Sequence, residues 1–331
     1  MGPTGGHSIV QLHPTRRCNL RCLHCYSQSG PEVTATTPLP MLRGLIEDAV
    51  DLGYGVVGVS GGEPLLYPDL AELLLAAKDL GCRTTVTTNG MLLTDRRLAE
   101  LAGLVDVLAI SLDGTPPSHD RMRGNPRAFS TLDRRMASVS ASGIPFGFIS
   151  TLTMENVAEL EFVVEYAVSH GASLVQVHPL ELVGAAAGNL PDAIPDDREL
   201  AFGLLEGARL SLEHEIPVQV DVVRKASLAS APERFLATPP AAGAALGEWL
   251  TPLVVETDGT VVPLTYGMSK RFALGNLADA PLSRLADAWD PAPFLALCAR
   301  VADDLLSRAE PFFSWYEEIT TAAAAGAPTY G

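Results

Sequence analysis

Cys18, Cys22 and Cys25 fall within the eight-residue run Cys18-Asn19-Leu20-Arg21-Cys22-Leu23-His24-Cys25. Three thiolates this close can hold three irons of a [4Fe–4S] cube, which needs a fourth ligand to be complete. The fourth iron then stays open, and an open metal corner is where a substrate or cofactor binds. A buried electron carrier would close that corner with a fourth protein ligand. Two other uses fit the same spacing: a partial zinc site completed by a distant His, and three incidental thiols.

The elements around this loop must position it. Ile9 to Leu12 reads as a short strand that ends at His13-Pro14 and the cysteines. Strand-like segments then recur at Gly55–Val59, Arg83–Thr87, Val105–Leu112, Phe146–Leu152 and Leu174–Val177. Helical spacing separates them at Leu39–Leu52, Leu70–Leu80, Leu92–Leu101, a stretch ending at Gly143, and Val157–Val168. Six β–α units in series predict a parallel sheet with right-handed crossovers. Six suit an open, partial (β/α)6 TIM-like barrel better than a closed eight-fold one. The Ala/Gly/Pro-rich interval Gly184 to Asp197 marks a boundary. The expected organisation is therefore α/β: a barrel over residues 1–183, a linker and helical connection over 184–252, and a smaller α+β cap over 253–331. A helix near Glu199–Leu212 and a strand at Val218–Val223 fall in the connection. In the cap, Thr257-Asp258-Gly259-Thr260 between two valine pairs is a hairpin signal. Leu285, Trp289, Phe294 and Leu297 are helical, and Ala322 to Gly331 is expected to fray.

Ligand sites in parallel β/α folds lie at the C-terminal ends of strands, and the unusual residues cluster there. Gly61-Gly62-Glu63-Pro64 follows the second strand: two glycines let backbone approach a ligand closely, and Glu63 accepts hydrogen bonds. Thr87-Thr88-Asn89-Gly90 follows the third, with Asn-Gly turn chemistry. Ser111-Leu112-Asp113-Gly114 follows the fourth, where Asp113 caps a turn or faces a ligand. Arg121, Arg123, Arg127, Arg134 and Arg135 come next. The first and sixth strands end alike, in Gln11-Leu12-His13-Pro14 and Gln176-Val177-His178-Pro179. Strand alternation puts Gln and His on one face, which places both pairs inside the barrel near its top. In an open barrel these are the two edge strands, so His13 and His178 are expected to line the reaction chamber from either side of a lateral opening. Two hydrogen-bonded core histidines are the alternative. Glu181, just beyond, is a candidate substrate contact or base.

These motifs together resemble the radical S-adenosylmethionine (SAM) enzymes. His24 stands where that family often has an aromatic residue, and Tyr26 follows the last cysteine as it often does there. The resemblance implies one [4Fe–4S] cluster held by Cys18, Cys22 and Cys25, with SAM chelating the open iron through its amino and carboxylate groups. Reduction would then yield a 5′-deoxyadenosyl radical that removes a hydrogen atom from a substrate. By the same resemblance, Gly61, Gly62, Glu63 and Pro64 contact the SAM amino group. Thr88 and Asn89 line the SAM pocket, Ser111 approaches SAM and Asp113 accompanies it. Arg123 is the candidate partner for the SAM carboxylate.

The segment Val254–Pro263, Ala273-Leu274-Gly275-Asn276-Leu277 and Leu285–Trp289 is similar to the SPASM or "twitch" extension of peptide-modifying members. There a cysteine follows the Pro after the second strand; here that residue is Leu264. Only Cys82 and Cys298 remain outside the first loop, and two thiols cannot build a four-thiolate site. The extension is therefore expected to be degenerate, with no auxiliary cluster. That favours redox-neutral rearrangement, epimerisation or radical addition, or an oxidation that returns its electron to the first cluster. Cys298 and Tyr266 are candidate hydrogen donors, Cys298 more readily a buried structural thiol. Cys82, at the start of the third strand and so at the far end from the chemistry, is structural.

Composition narrows the partners. With 39 acidic and 23 basic residues the net charge is −16, which argues against a nucleic-acid surface. No apolar run reaches the roughly 20 residues that cross a bilayer, and the N-terminus lacks a signal-peptide core. Clustered thiols in a five-cysteine chain point away from disulfides and toward a reducing cytoplasm. The resemblance implies hydrogen abstraction from a ribosomally made peptide, as a peptide maturase making a cross-link, an epimer or a related C–H change. The rival is a small-molecule enzyme of natural-product or cofactor biosynthesis acting on a sugar, nucleoside or amino acid. Only a short segment precedes the cysteines, so the peptide reading also expects a separate leader-peptide-binding protein. Either reading needs a reductant such as flavodoxin or ferredoxin.

Overall fold

The computed structural model describes residues 8–232, 235 and 243–325. Seven parallel strands follow in sequence order: β1 Ile9–Leu12, β2 Val56–Val59, β3 Arg83–Thr88, β4 Val107–Ser111, β5 Phe146–Leu152, β6 Val175–Pro179 and β7 Val218–Val220. Between them run α1 Leu39–Asp51, α2 Leu70–Asp79, α3 Asp95–Leu101, α4 Pro116–Met122, α5 Ala128–Ala141, α6 Leu160–Ser169, the short α7 Ala186–Asn189 and the long α8 Asp197–His214. The remainder is β8 Val223–Arg224, α9 Lys225–Ser230, β9 Leu253–Val255, β10 Thr260–Pro263, β11 Gly275–Asn276, α10 Leu282–Ala288, α11 Ala292–Ser307, β12 Phe312–Phe313 and α12 Trp315–Ala325.

This is the α/β architecture of a partial barrel, and the strand sequences explain it. Val10, Leu12, Val57, Val59, Val86 and Val177 are buried under the crossover helices. Their alternates, Gln11, Thr85, Thr87, Thr151, Gln176 and His178, are partly exposed on the opposite, inner face. One face is thus apolar and packed, and the other is a polar lumen. Gly58 leaves room there for Gln11: a Cβ on it would stand 2.2 Å from Gln11 Oε1.

The sheet is wider than the sequence suggests. β1 and β6, expected as its edges, are interior strands. β9 pairs in parallel along β1, with Val10 opposite Leu253 and Leu12 opposite Val255. β7 pairs along β6, with Gln176 opposite Gln219. The ten-stranded order is β11-β10-β9-β1-β2-β3-β4-β5-β6-β7. A β-branched strand with an unpaired edge is a template for another strand. The valine-rich segments after residue 217 and before residue 256 supply it from within the chain. Residues 253–276 therefore continue the barrel's own sheet.

Three smaller expectations shift. The strand-like Val218–Val223 splits into β7 and β8 around Asp221. The helical region from Leu285 to Leu297 breaks between α10 and α11, where Pro291 and Pro293 cannot continue a helix from the preceding turn. The expected fraying from Ala322 gives way to helix as far as Ala325; residues 326–331 lie outside the described residues. None of the helices among the described residues is long and apolar enough to cross a membrane.

Candidate active site

His13-Pro14 ends β1 and releases the chain into the cysteine loop. Backbone bonds fold that loop on itself: Cys18 N donates to Gly30 O at 3.1 Å, and Arg16 N to Ala35 O at 3.0 Å. Arg16 Nε ties across to Ser27 O at 2.9 Å. Cys18 is buried, and Cys22 and Cys25 are half-buried. Each sulfur meets a different element. Asn89 Nδ2, after β3, lies 4.0 Å from Cys18 Sγ. Arg123 Nη1, at the end of α4, lies 4.0 Å from Cys22 Sγ. Ser29 N donates to Cys25 Sγ at 3.3 Å. Burial pushes the Cys18 thiol up to about 12 and raises Cys22 despite Arg123 beside it. Such thiols stay protonated until a metal cation replaces the proton.

The glycines of the second motif hold the end of β2 against this loop. Gly62 N donates to Thr15 O at 2.8 Å and Glu63 N to Arg17 O at 2.9 Å. A Cβ at Gly61 would stand 2.6 Å from Thr15 O, and one at Gly62 2.3 Å from Arg17 O. Gly61 also has φ +112°, a conformation open mainly to glycine. The close approach expected toward a ligand is thus, in the protein itself, an approach to the cysteine loop's backbone. Glu63 is fully buried. Its carboxylate accepts from Thr88 Oγ1 at 2.8 Å, Asn89 N at 3.0 Å and Leu65 N at 3.2 Å. Burial raises its pKa against those donors. Pro64 opens the turn Pro64–Leu66 that Glu63 caps. Asn89 Nδ2 donates to Asn19 Oδ1 at 2.8 Å, closing a path from β3 back to the cysteines.

Ser111 ends β4 on the inner side and is buried. Asp113, two residues on, is 1% exposed and Arg123 8%. Arg123 Nε lies 2.7 Å from Asp113 Oδ2, an ion pair too bent for an aligned hydrogen bond. Thr151 N donates to Asp113 Oδ1 at 3.2 Å, and Asp113 N donates to His119 Nδ1 at 3.2 Å. Burial opposes the charge on Asp113, but Arg123, His24 and His119 outweigh it and hold the carboxyl below its usual range.

The two histidines of the Gln-x-His-Pro motifs differ. His13 is buried and bonded on both sides: Nδ1 to Val255 O at 3.3 Å, Nε2 to the Tyr26 hydroxyl at 3.0 Å. Burial lowers its pKa to about 4. Tyr26 passes the chain of bonds to Ser60 Oγ at 2.9 Å. Tyr266, after β10, packs on both His13 and Tyr26, with ring centroids 4.7 and 5.3 Å away. His178 is half-buried, and its Nδ1 is 2.5 Å from Asp221 Oδ2. Its Nε2 has no partner among the described residues. Glu181 faces the same pair, and burial, with Glu317 beside it, raises its carboxyl to about 7. The loop that carries Glu181 lies on the cysteine loop: Ala185 N donates to Cys25 O at 2.9 Å.

Asp221, Ser60, Asn19 and Glu317 were not singled out in the sequence. Asp221 had a signal, since Gln219-Val220-Asp221 repeats the alternation of Gln176-Val177-His178 in register beside it. Glu317 had none; it comes from α12 and accepts from Leu182 N at 2.9 Å. Of the other thiols, Cys298 is buried inside α11 with its pKa raised by burial to about 12. Cys82 is buried just before β3. A cavity of about 400 Å³ lies between Leu180, Leu200, Phe313 and Glu317 and touches none of the cysteines.

The donor set fits an iron–sulfur cube better than zinc. Among the described residues, no three His, Cys, Asp or Glu are placed to hold a single metal ion. A cube asks for less convergence, because each thiolate serves its own iron. Asn89, Arg123 and Ser29 each offer one sulfur a hydrogen-bond donor or a positive charge.

The sequence model of the "Radical SAM superfamily" matches residues 12–167. The chain is 29% identical over 218 residues to the Fe-coproporphyrin III synthase of Methanosarcina barkeri, covering 64% of this chain and 54% of that protein. It is 29% identical over 255 residues to the PqqA peptide cyclase of Ruegeria pomeroyi, covering 75% and 65%. These alignments leave more than a third of each relative unmatched. Streptococcus suis SuiB bound to S-adenosylmethionine superposes with a TM-score of 0.67 at 18% identity, over 91% of this chain and 72% of that one. Native anSMEcpe with bound AdoMet gives 0.65 at 15% identity, over 96% and 97%. Identities this low establish a shared fold. With the three thiols in one loop and the superfamily match spanning that loop, residues 12–167 of this chain form a radical SAM domain.

Proposed function

We propose that the protein is a SAM-dependent enzyme that uses a three-cysteine [4Fe–4S] cluster to abstract hydrogen from a ribosomally made peptide. Cys18, Cys22 and Cys25 would hold the cluster. Gly61, Gly62, Glu63, Pro64, Thr88, Asn89 and Ser111 form the adjoining rim that would take SAM, with Asp113 and Arg123 behind it. When bound, the cluster and SAM supply a hydrogen-abstracting carbon radical. The chain's own residues do the rest. The cysteine loop, the β2 end and the β3 end are stitched together by Glu63 and Asn89, so the site keeps its shape without a ligand. The polar lumen, with Gln11, Thr87, Thr151, Gln176 and His178, offers hydrogen bonds to a peptide backbone. His178, oriented by Asp221, presents Nε2 as a proton acceptor, and Glu181 titrates near neutrality beside it. His13 and Tyr266 act as supports beneath the loop.

The peptide reading is carried by one observation. The likeness to the peptide cyclase runs over 255 residues, 75% of this chain, which is more than the barrel alone spans. The rival reading, a small-molecule enzyme, has the porphyrin-handling relative in its favour. A cytoplasmic setting and a flavodoxin- or ferredoxin-type reductant follow from the cluster's chemistry. The test has two stages. Anaerobically reconstituted protein reduced with dithionite should release 5′-deoxyadenosine from SAM. Co-expression with short open reading frames encoded beside the gene should then shift a peptide's mass. Release of 5′-deoxyadenosine that is stimulated by coproporphyrin and by no peptide would overturn the peptide assignment.

A further inference from the structure

We infer that Arg123 is a positioning residue for the cluster's electronics: its guanidinium, set against Cys22 and metered by Asp113, raises the reduction potential of the [4Fe–4S] centre. This rests on the cluster reading given above. Arg123 caps the C-terminal end of α4, and its Nη1 points at Cys22 Sγ from 4.0 Å. The same guanidinium is 2.7 Å from Asp113 through Nε. Both side chains are shielded from water, so their charges act on the sulfur with little screening. A cation beside a thiolate ligand stabilises the more negative, reduced cluster, and hydrogen bonds and net charge near the sulfurs are among the protein's levers on potential.

The surroundings favour this use over a purely structural one. Asp113 is anchored by Thr151 N, its carbonyl is held by Asn156 Nδ2 at 2.8 Å, and its amide donates to His119. The carboxylate therefore cannot swing away, and the guanidinium is fixed in turn. The other ionisable side chains facing the pair are His24 and His119. Cys22 thus sees one full positive charge, offset by one fixed negative charge farther back. Among the described residues, Cys18 meets the amides of Asn89 and Asn19 and the backbone of Leu20, with the Glu63 carboxylate nearby, and Cys25 meets the Ser27 hydroxyl and the Ser29 N–H; no cation lies against either. Gly124, next in the chain, brings this corner close to the loop: a Cβ there would stand 2.4 Å from Arg21 O.

EPR-monitored redox titration of the reconstituted protein, without substrate, tests the idea. The midpoint should fall in Arg123→Gln, and fall less in Arg123→Lys, which keeps the charge but shortens its reach. It should rise in Asp113→Asn, which removes the offsetting charge. Iron and sulfide content, measured first, shows which variants assemble. If Arg123→Gln loads poorly, the opposite shifts of Arg123→Lys and Asp113→Asn carry the test. Unchanged midpoints, or shifts of the same sign in both, overturn the inference. A wild-type protein that takes up no sulfide overturns the cluster reading instead.

Discussion

The ring of Tyr266 packs 4.7 Å from that of His13, so the loop after β10 rests on the residue that directly follows β1. The contact joins the C-terminal strands to the cysteine loop, because His13 Nε2 bonds the hydroxyl of Tyr26, next to Cys25. Tyr266→Ala removes a half-buried ring from this stack and should cost about 2–4 kcal/mol of stability. Tyr266→Phe keeps the stack and should cost under about 1 kcal/mol. Chemical denaturation of the two variants compares them. If Tyr266 is instead a hydrogen donor, Phe will match Ala in lost turnover while matching wild type in stability.

Acid should weaken the fold through its buried histidines. His13 and His119 are each lowered by burial to about 4, against an ordinary 6.5. Between those values the unfolded chain binds more protons, so stability falls as pH drops through the window. The slope is at most about 1.4 kcal/mol per pH unit for each histidine. Urea midpoints at pH 7 and pH 5 measure it, and His119→Gln should flatten the difference. Glu181, raised to about 7, acts in the opposite sense over the same window, so the variant comparison decides: equal pH sensitivity in wild type and His119→Gln would show that His119 titrates alike in the folded and unfolded chain.

Gly62→Ala should disrupt the site without unfolding the sheet. Its new Cβ would stand 2.3 Å from Arg17 O, so the cysteine loop must shift by about an ångström. Displacements of that order cost roughly 10²-fold in rate. 5′-deoxyadenosine release and iron content read the effect, while circular dichroism should stay near wild type. Full activity in this variant would mean that the loop is slack where it meets β2.

Serine at Cys18, Cys22 or Cys25 should each abolish the roughly four irons per chain expected of a cube. Cys298→Ser and Cys82→Ala should leave them in place, since both thiols are buried away from the loop in α11 and before β3. Iron and sulfide assays with Mössbauer spectra distinguish this from zinc. Chelation by EDTA after oxidation should remove the metal and end SAM cleavage together.

His178→Ala and Asp221→Asn should impair turnover more than cluster assembly. The 2.5 Å contact fixes the ring and leaves Nε2 without a partner among the described residues, and loss of a positioned base costs about 10²–10⁴-fold. The ratio of product to 5′-deoxyadenosine, with the modified substrate, separates the steps: it should fall while iron content holds. Equal loss of both would remove His178 from the chemistry.

The local signals were legible in the sequence because they are local. Three cysteines in one loop, glycines after β2 and period-two alternation along β1 to β6 all depend on neighbours a few residues apart. They determined the barrel, its polar inner face and the place of the cluster loop. The edges of the sheet were not legible. β9 reaches β1 across more than 240 residues, and nothing in Leu253–Val255 says which strand it will pair with. The same holds for the partners of known candidates. Asp113 looked like a turn cap and became the counter-charge of Arg123; His13 and His178 carry the same tetrapeptide and ended in opposite surroundings, one bonded on both nitrogens and one open to the lumen. Sequence set which groups the strand ends display, since alternation and turn chemistry act over short range. Tertiary packing decided which of them are spent on holding the loops and which remain free, because burial and pairing depend on elements brought in from the far end of the chain.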